Sequence, residues 1–171
     1  MDVYIDAARN KIGLARRHLL MLDSFRAGEP GEREDIQLNF EGVLRNGESA
    51  ADQLAEAVTL KLKLGVRNPS AHKVIQALTD SDVDPEPFTA HLRTWVTIPI
   101  VIDAHKRRRD AVHHHYEKRP YKALGTWLLE PQTVNGTPSP YDGPLDVHAY
   151  CAAYVNTLDL LEETARQLEN G

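Results

Sequence analysis

Apolar residues recur at alternating spacings of three and four along most of this chain, and that spacing restricts the fold more than any other feature. The first stripe comprises Ile5, Ala8, Ile12, Ala15, Leu19 and Leu22. Residues spaced in this way lie on one side of an α-helix, so the stripe predicts a helix with one buried face. The stripe ends near Gly28-Glu29-Pro30-Gly31, where glycine and proline oppose continuation of a helix.

Three further stripes predict three more long helices. The second runs through Phe40, Leu44, Gly47, Ala51, Leu54 and Val58, the third through Phe88, Leu92, Trp95, Pro99 and Ile102, and the last through Val147, Cys151, Tyr154, Leu158, Leu161, Ala165 and Leu168. Small residues in the middle of the second stripe predict close approach of another helix. Pro99 predicts a kink, because proline removes a backbone donor and crowds the preceding turn.

A short helix is predicted between the second and third long helices. It begins at Asn68-Pro69-Ser70 and ends at about Leu78, because asparagine caps helices and proline suits the first helical position. A polar loop follows over residues 80–87.

The segments between helices contain no predicted strand. Residues 130–144 are rich in proline and glycine and predict an irregular loop. Strand alternation is missing, and Asn135-Gly136 is only a formal turn dipeptide. The expected fold is therefore all-α: one domain over residues 1–171, built as an up-and-down bundle of four long helices and one short helix.

Composition and cysteine content narrow the class of protein. The chain has 171 residues, of which 42% are hydrophobic, enough for one domain with a core. Its single cysteine, Cys151, excludes an intramolecular disulfide and a cysteine-based zinc site. Residues 1–6 lack the features of a signal peptide, and the apolar run from Val96 to Ile102 is too short to span a bilayer. We therefore expect a soluble cytoplasmic protein with no membrane association.

Basic charge is concentrated in one segment. The net charge is −5, which argues against broad nucleic-acid binding. Residues 105–122, however, hold seven Lys and Arg residues against two acidic ones, so this segment carries +5 and the rest of the chain −10. Such a segment can bind phosphate locally. The alternative is a solvated helix end whose cations complement the helix dipole.

Reactive residue types are also concentrated in this segment, from Arg109 to Tyr116. Arginine is permanently charged and presents a fork that matches phosphate, and histidine exchanges a proton near neutral pH. Together they predict a site that cleaves phosphodiesters without a metal. The proposed catalytic residues are Arg109, His114 and His113, the auxiliary ones are Asp110 and Tyr116, and the RNA-binding ones are Lys106, Arg107, Arg108, Lys118, Arg119 and Lys122.

These residues give the chain a resemblance to the HEPN superfamily. Arg109, followed by polar Asp110 and then by His114 after four intervening residues, is similar to the family motif, and Tyr116 occupies the place of a tyrosine found in one subgroup. The resemblance implies a small helical bundle that forms a homodimer and acts as a metal-independent RNase, often as a toxin. It also implies that the antitoxin is a nucleotidyltransferase that modifies the tyrosine.

Two histidines compete for the role of partner to Arg109. The polar neighbour Asp110 and the placement of Tyr116 favour His114. An unbroken helix would instead place His113 beside Arg109, because residues four apart share a face. If Asp110 caps a new helix, that objection to His114 is removed.

The resemblance implies RNA transesterification. A histidine removes the proton of a ribose 2′-hydroxyl, which attacks the neighbouring phosphorus, while Arg109 stabilises the charge that builds on the phosphate oxygens. In the family a second copy of the motif, across a dimer cleft, supplies the acid for the leaving oxygen. The expected product carries a 2′,3′-cyclic phosphate, and no cofactor is needed.

Two other functions remain open at this stage. The chain can be a non-catalytic HEPN-like module that binds nucleic acid or protein. It can also be a metal-binding bundle if the scattered histidines converge, namely His18, His72, His91 and His148. Cys151, Trp95 and Trp127 are interpreted as core residues.

Overall fold

The computed structural model describes residues 1–26, 31–81, 83, 85–96, 120–129 and 144–170, and over these residues the chain is mostly helical. Three of the described helices are long, at 25, 30 and 24 residues, and two are short, at 10 and 9. In chain order they are α1 (Asp2–Arg26), α2 (Arg33–Leu62), α3 (Ala71–Asp80), α4 (Phe88–Val96) and α5 (Val147–Asn170). The predicted extension of α4 through Pro99 and Ile102 lies outside the described residues.

A small antiparallel sheet is formed by residues between α4 and α5. The prediction of a chain without strands is therefore wrong. Its order is β1 (Tyr121–Ala123), β2 (Thr126–Leu129), β3 (Leu145–Asp146). Leu124 and Gly125, at the hairpin turn, have φ values of 50° and 83°, as a type I′ turn requires. Leucine rarely occupies such a turn, and strands of two to four residues are too short to show alternation. These two facts explain why the sequence pattern missed the sheet.

The predicted stripes of α1, α2 and α5 form the core. Their members are buried, apart from Leu19 and Leu168, which are partly buried against it. The start of α2 was not predicted: the helix begins at Arg33, seven residues before Phe40. A reciprocal capping box between Glu32 and Asp35 defines that start, since each side chain accepts from the other residue's backbone N–H.

The short helix α3 also begins later than predicted. Ser70 is its N-cap residue, with extended backbone (φ −137°, ψ 161°), and Ala71 is its first residue. Asn68 has a φ of 48°, a left-handed conformation that is incompatible with the extended backbone of an N-cap. The predicted cap at Asn68 is therefore wrong by two residues, while the predicted helix itself is confirmed.

A polar contact sets α1 in register with α2. Asn39 is 7% exposed and donates from Nδ2 to the carbonyl oxygen of Asp35 at 2.8 Å. Its Oδ1 therefore accepts from Nδ1 of His18, at 3.0 Å. The His18 ring lies against Gly42, where a Cβ would be only 2.5 Å from its carbons. Because α1 and α2 run antiparallel, this contact sets His18 beside the first turns of α2.

Gly47 allows α5 to pack closely against the middle of α2, as the small residues of the second stripe predict. A Cβ at this position would overlap the Tyr154 ring and lie 2.9 Å from Cδ1 of Leu158. The Tyr154 hydroxyl crosses the helix surface and donates to the carbonyl oxygen of Leu44 at 3.3 Å. The three residues thus join α5 to α2 by shape and by one buried hydrogen bond.

An ion pair closes the outer edge between α1 and α5. The Arg9 guanidinium contacts Oε1 of Glu162, with Nη2 at 3.0 Å. Such exposed pairs contribute about 1 kcal/mol or less, so the apolar stripes supply most of the attraction. Over the described part of the chain, none of the helices is long and apolar enough to cross a lipid bilayer.

Replacing Gly47 with alanine is expected to destabilise the fold by about 1–3 kcal/mol, because the added methyl overpacks the contact with Tyr154 and Leu158. Gly13 provides a matched control, since its Cβ position on α1 meets nothing within 4 Å. Gly13→Ala should stabilise by about 0.5–1 kcal/mol through helix propensity. Urea unfolding of both variants measures the difference, and a neutral Gly47→Ala would contradict the packing described.

Candidate functional site

The predicted reactive residues lie outside the described part of the chain. Residues 97–119 contain the catalytic candidates Arg109, His113 and His114 and the auxiliary Asp110 and Tyr116. The predicted RNA-binding residues Lys106, Arg107, Arg108, Lys118 and Arg119 fall in the same interval. Their roles stay predictions, as does the choice between His113 and His114. The described residues on either side of this interval show how the bundle holds its two ends.

The chain that enters this interval is joined to the core by Trp95. Trp95 lies in the last turn of α4 and is 5% exposed. Its ring centroid is 6.1 Å from that of Tyr154, with the planes inclined by 43°, a tilted contact between aromatic rings. Trp95 is thus a core residue, as predicted, and it connects the end of α4 to the contact between α5 and α2.

The chain that leaves the interval is joined to α2. Pro120 is buried, and its carbonyl oxygen accepts a hydrogen bond from Nε of Arg33 at 2.9 Å. Arg33 lies in the first turn of α2, where the helix dipole disfavours a cation. The neighbouring Glu34 and Asp35 offset that penalty. Arg33 thereby fixes the start of the hairpin at the N-terminal end of α2.

Lys122 is the one predicted RNA-binding residue within the described part of the chain. It is exposed on β1 and lies directly across the sheet from Trp127. Its Nζ is 6.0 Å from the centroid of the Trp127 ring, at the outer limit of a cation–π contact. Trp127 is partly buried against the core, as predicted. The ring therefore supports Lys122 while leaving its ammonium group in solvent.

A polar network that the sequence analysis missed lies beside the hairpin. Arg26 donates from Nη1 to Nδ1 of His148 at 3.1 Å, and Nε2 of His148 is 3.1 Å from Oδ1 of Asp23. An accepting Nδ1 carries no proton, so Nε2 carries the proton of the ring and donates to Asp23. Because both ring nitrogens are engaged, His148 connects the end of α1 to the start of α5 and is not free to act as a base. The only sequence signal for this network is that Asp23 and Arg26 share a helix face.

The cleft next to this network is small. Leu22, Ile36 and Trp127 supply its apolar walls. Asp146 lies at its edge and caps α5, accepting from the backbone N–H of Ala149 at 2.8 Å. The cleft has a volume of about 20 Å³, which is room for one water molecule. It is too small to hold a nucleotide.

A wider groove of about 440 Å³ lies between the N-terminal turn of α1, α2 and the start of α3. Asp52 and Glu56 of α2 line it, opposite Lys73 of α3. The Lys73 ammonium donates to the carbonyl oxygens of Arg67 and Asn68, at 3.2 and 2.9 Å. Because the two acidic side chains outnumber the one lysine, the groove does not suit a polyanion such as RNA.

The histidines considered for metal binding do not gather at one site. His18 contacts Asn39 in α2, whereas His148 contacts Asp23 and Arg26. Within the described ranges, no three His, Cys, Asp or Glu side chains form a group that could hold a metal ion. The described histidines therefore give the metal-binding alternative no support.

Cys151 is a core residue, as predicted. Its side chain is fully buried on the stripe of α5. Burial, with a smaller contribution from the negative charge of Asp146, raises the pKa of the thiol far above its ordinary value. The thiolate, which is the nucleophilic form, is therefore not populated at neutral pH in the folded protein.

Comparison of the chain with protein-family models, with curated proteins and with solved structures found no match.

Replacing His148 with alanine is expected to lower the free energy of unfolding by about 1 kcal/mol, because two hydrogen bonds between α1 and α5 are lost. His91→Ala on α4 is the matched control and should change stability by less than about 0.5 kcal/mol. Thermal unfolding of both variants makes the comparison. Equal effects of the two substitutions would contradict a connecting role for His148.

The Cys151 thiol is expected to resist Ellman's reagent at pH 8 in the folded protein, because burial suppresses both access and thiolate formation. One equivalent of thiol per chain should react after unfolding in guanidinium, since the chain has one cysteine. Rapid reaction of the native protein would contradict the burial of the Cys151 side chain in α5.

Proposed function

We propose that the chain is a metal-independent endoribonuclease of the HEPN type. The observation that carries the proposal is the order of residues in the basic segment: Arg109, then His114 after four intervening residues, then Tyr116 two places further on. A guanidinium and an imidazole are the groups that phosphodiester cleavage needs in the absence of a metal. The mostly helical fold is compatible with this class of protein.

The charge distribution supports RNA as the substrate. The segment from His105 to Lys122 carries +5 on a chain whose remainder carries −10. Lys122, at the end of this segment, presents an exposed ammonium group beside Trp127. The acidic remainder repels nucleic acid, so RNA would be held at the basic segment and not along the whole surface.

In the proposed reaction, His114 removes the proton from the 2′-hydroxyl of a ribose, and that oxygen attacks the adjacent phosphorus. Arg109 stabilises the negative charge on the non-bridging oxygens, by a bidentate contact. The bond from phosphorus to the 5′-oxygen breaks, and a second histidine, supplied by the other subunit of a homodimer, protonates the leaving oxygen. The products are a 2′,3′-cyclic phosphate and a 5′-hydroxyl end.

The same pattern suggests a biological setting. Tyr116 would be the residue that a nucleotidyltransferase antitoxin modifies, and modification beside the catalytic pair would block the binding of RNA. In this setting the chain is the toxin of a toxin–antitoxin pair or part of an antiviral system.

The proposal predicts cleavage of single-stranded RNA in the presence of EDTA by the full chain. Arg109→Ala and His114→Ala should each lower the rate at least about 100-fold, because each removes a group that acts on the transition state. Arg109→Lys should also be impaired, since lysine keeps the charge but loses the bidentate fork. The assay follows a labelled oligonucleotide and the cyclic phosphate end.

His115→Ala is the control for a histidine in the same run, and it should retain activity. An oligonucleotide with 2′-deoxyribose at the cleaved position should resist cleavage, because the nucleophile is missing. If His113→Ala is inactive and His114→Ala is active, the catalytic role moves to His113. Cleavage that survives removal of both Arg109 and His114 would refute the site. RNA binding without any cleavage would instead favour the non-catalytic module.

A further inference from the structure

The groove between α1, α2 and α3 contains the start of a helix that its own N-cap residue does not cap. Ser70 is the N-cap residue of α3, which is 10 residues long. A serine in this position normally accepts a hydrogen bond from a backbone N–H of the first turn, but the Ser70 side chain makes no such bond. The backbone N–H of Lys73, at the positive end of the helix dipole, is therefore not taken up by Ser70.

The Ser70 hydroxyl is itself a buried group that lacks a partner. Ser70 is only 6% exposed, and within the described part of the chain its Oγ has no hydrogen-bond partner. Leaving a buried hydroxyl in this state is costly, and native structures usually satisfy such a group with protein, water or an ion. Because Ser70 lines the groove, a molecule bound there can supply the missing partner.

Lys73 adds a fixed positive charge on the same side of the groove. Its ammonium group donates to the carbonyl oxygens of Arg67 and Asn68. These two bonds hold the charge beside the start of α3. Since an ammonium group has three N–H donors, the third can donate to an anionic group in the groove.

The opposite wall of the groove is acidic. Asp52 and Glu56 lie one turn apart on α2, so their side chains share a helix face, and both line the groove. Glu56 is half-buried, which strengthens its attraction for a cation, because water screens the charge less there. The groove therefore presents negative charge on the side of α2 and positive charge on the side of α3.

This separation of charge favours a small zwitterion as the occupant. A polyanion such as RNA is repelled by the wall of α2. A metal ion lacks ligands, since no three His, Cys, Asp or Glu side chains of the described ranges form a suitable group. A molecule with one carboxylate and one ammonium group satisfies both walls at once. The groove volume of about 440 Å³ lies within the range of small-molecule sites.

We infer that this groove is a binding site for a free amino acid or a similar small ammonium carboxylate. The carboxylate of the ligand accepts from Oγ of Ser70, from the backbone N–H of Lys73 and from the Lys73 ammonium group. The ammonium group of the ligand contacts the carboxylates of Glu56 and Asp52. None of these residues belongs to the site proposed for RNA cleavage, so the inference goes beyond the proposed function.

A thermal-unfolding screen of the full chain with each of the common amino acids, at about 10 mM, tests the site. At least one should raise the Tm by about 2 °C or more, because a ligand that binds only the folded chain stabilises it. For the strongest binder, the amine that lacks the carboxylate and the acid that lacks the ammonium group are then compared (ethylamine and propionate in the case of alanine). Each should bind at least about tenfold more weakly, since each satisfies only one wall.

NMR of the 15N-labelled chain locates the bound amino acid. The backbone amide signals of residues 52–56 and 70–73 should shift during the titration, because these residues form the two walls. Signals from the hairpin over residues 121–129 should stay in place, since the hairpin does not line the groove.

Ser70→Ala tests the start of α3. The substitution should weaken amino-acid binding at least about fivefold, because a hydrogen bond to a charged group is lost. The Tm of the ligand-free chain should stay within about 2 °C of the wild-type value, since this hydroxyl makes no bond to the described residues. A serine that served only to cap α3 would give the opposite result, with lower stability and unchanged binding.

Glu56→Gln tests the acidic wall, because it removes the charge with little change of shape. It should weaken binding of the amino acid at least about tenfold and leave binding of the acid without an ammonium group unchanged or tighter. Glu163→Gln is the matched control, at an exposed glutamate of α5 that does not line the groove. It should leave the affinity for both molecules unchanged.

A chain whose Tm is not raised by any of these amino acids would overturn the inference. So would an amino acid whose affinity is unchanged by both Ser70→Ala and Glu56→Gln, or whose NMR shifts map to another surface. Equal affinities for the amino acid and its amine would also overturn it, because the groove would then bind cations only. Failure of RNA cleavage has no bearing on these measurements.

Discussion

The close approach of α5 to α2 at Gly47 is the contact on which the rest of the structure depends. Because Gly47 has no side chain, the Tyr154 ring lies directly on the α2 backbone and its hydroxyl reaches Leu44. Trp95 then packs against the Tyr154 ring, which joins α4 to the same contact. One missing methyl group thus sets the position of three helices, including the one that leads into the basic segment.

Helix positions could be predicted from the sequence because burial of one helix face repeats at a fixed period. The stripes located four of the five described helices, the start signal at residues 68–70 located the short helix α3, and Gly47 was expected to admit another helix. Helix ends were less predictable, because they depend on local capping: Glu32 and Asp35 begin α2 early, and the backbone of Asn68 moves the start of α3 to Ala71. The sheet could not be predicted, since its strands are short and its turn uses a leucine.

Some features of the candidate site could likewise be predicted from the sequence, and others could not. The motif from Arg109 to Tyr116 could be read from the sequence alone, because its chemistry depends on residue types at short spacing. The network of Asp23, Arg26 and His148 could not, since it joins residues more than 120 positions apart. The described structure shows how the two ends of the segment over residues 97–119 are anchored. Trp95 anchors the end before it, and the hydrogen bond from Arg33 to Pro120 anchors the end after it. Each anchor contacts a long helix of the core, α5 for Trp95 and α2 for Pro120.

The contact between Tyr154 and Leu44 spans 110 residues of sequence, and this separation has a consequence for synthesis on the ribosome. Helices α1 and α2 emerge before α5 and are joined by a short connection, so they can pair while α5 is still untranslated. Until α5 arrives, the backbone notch at Gly47 and the apolar stripe around it face water. The nascent chain is therefore prone to aggregation and to capture by chaperones until α5 is made.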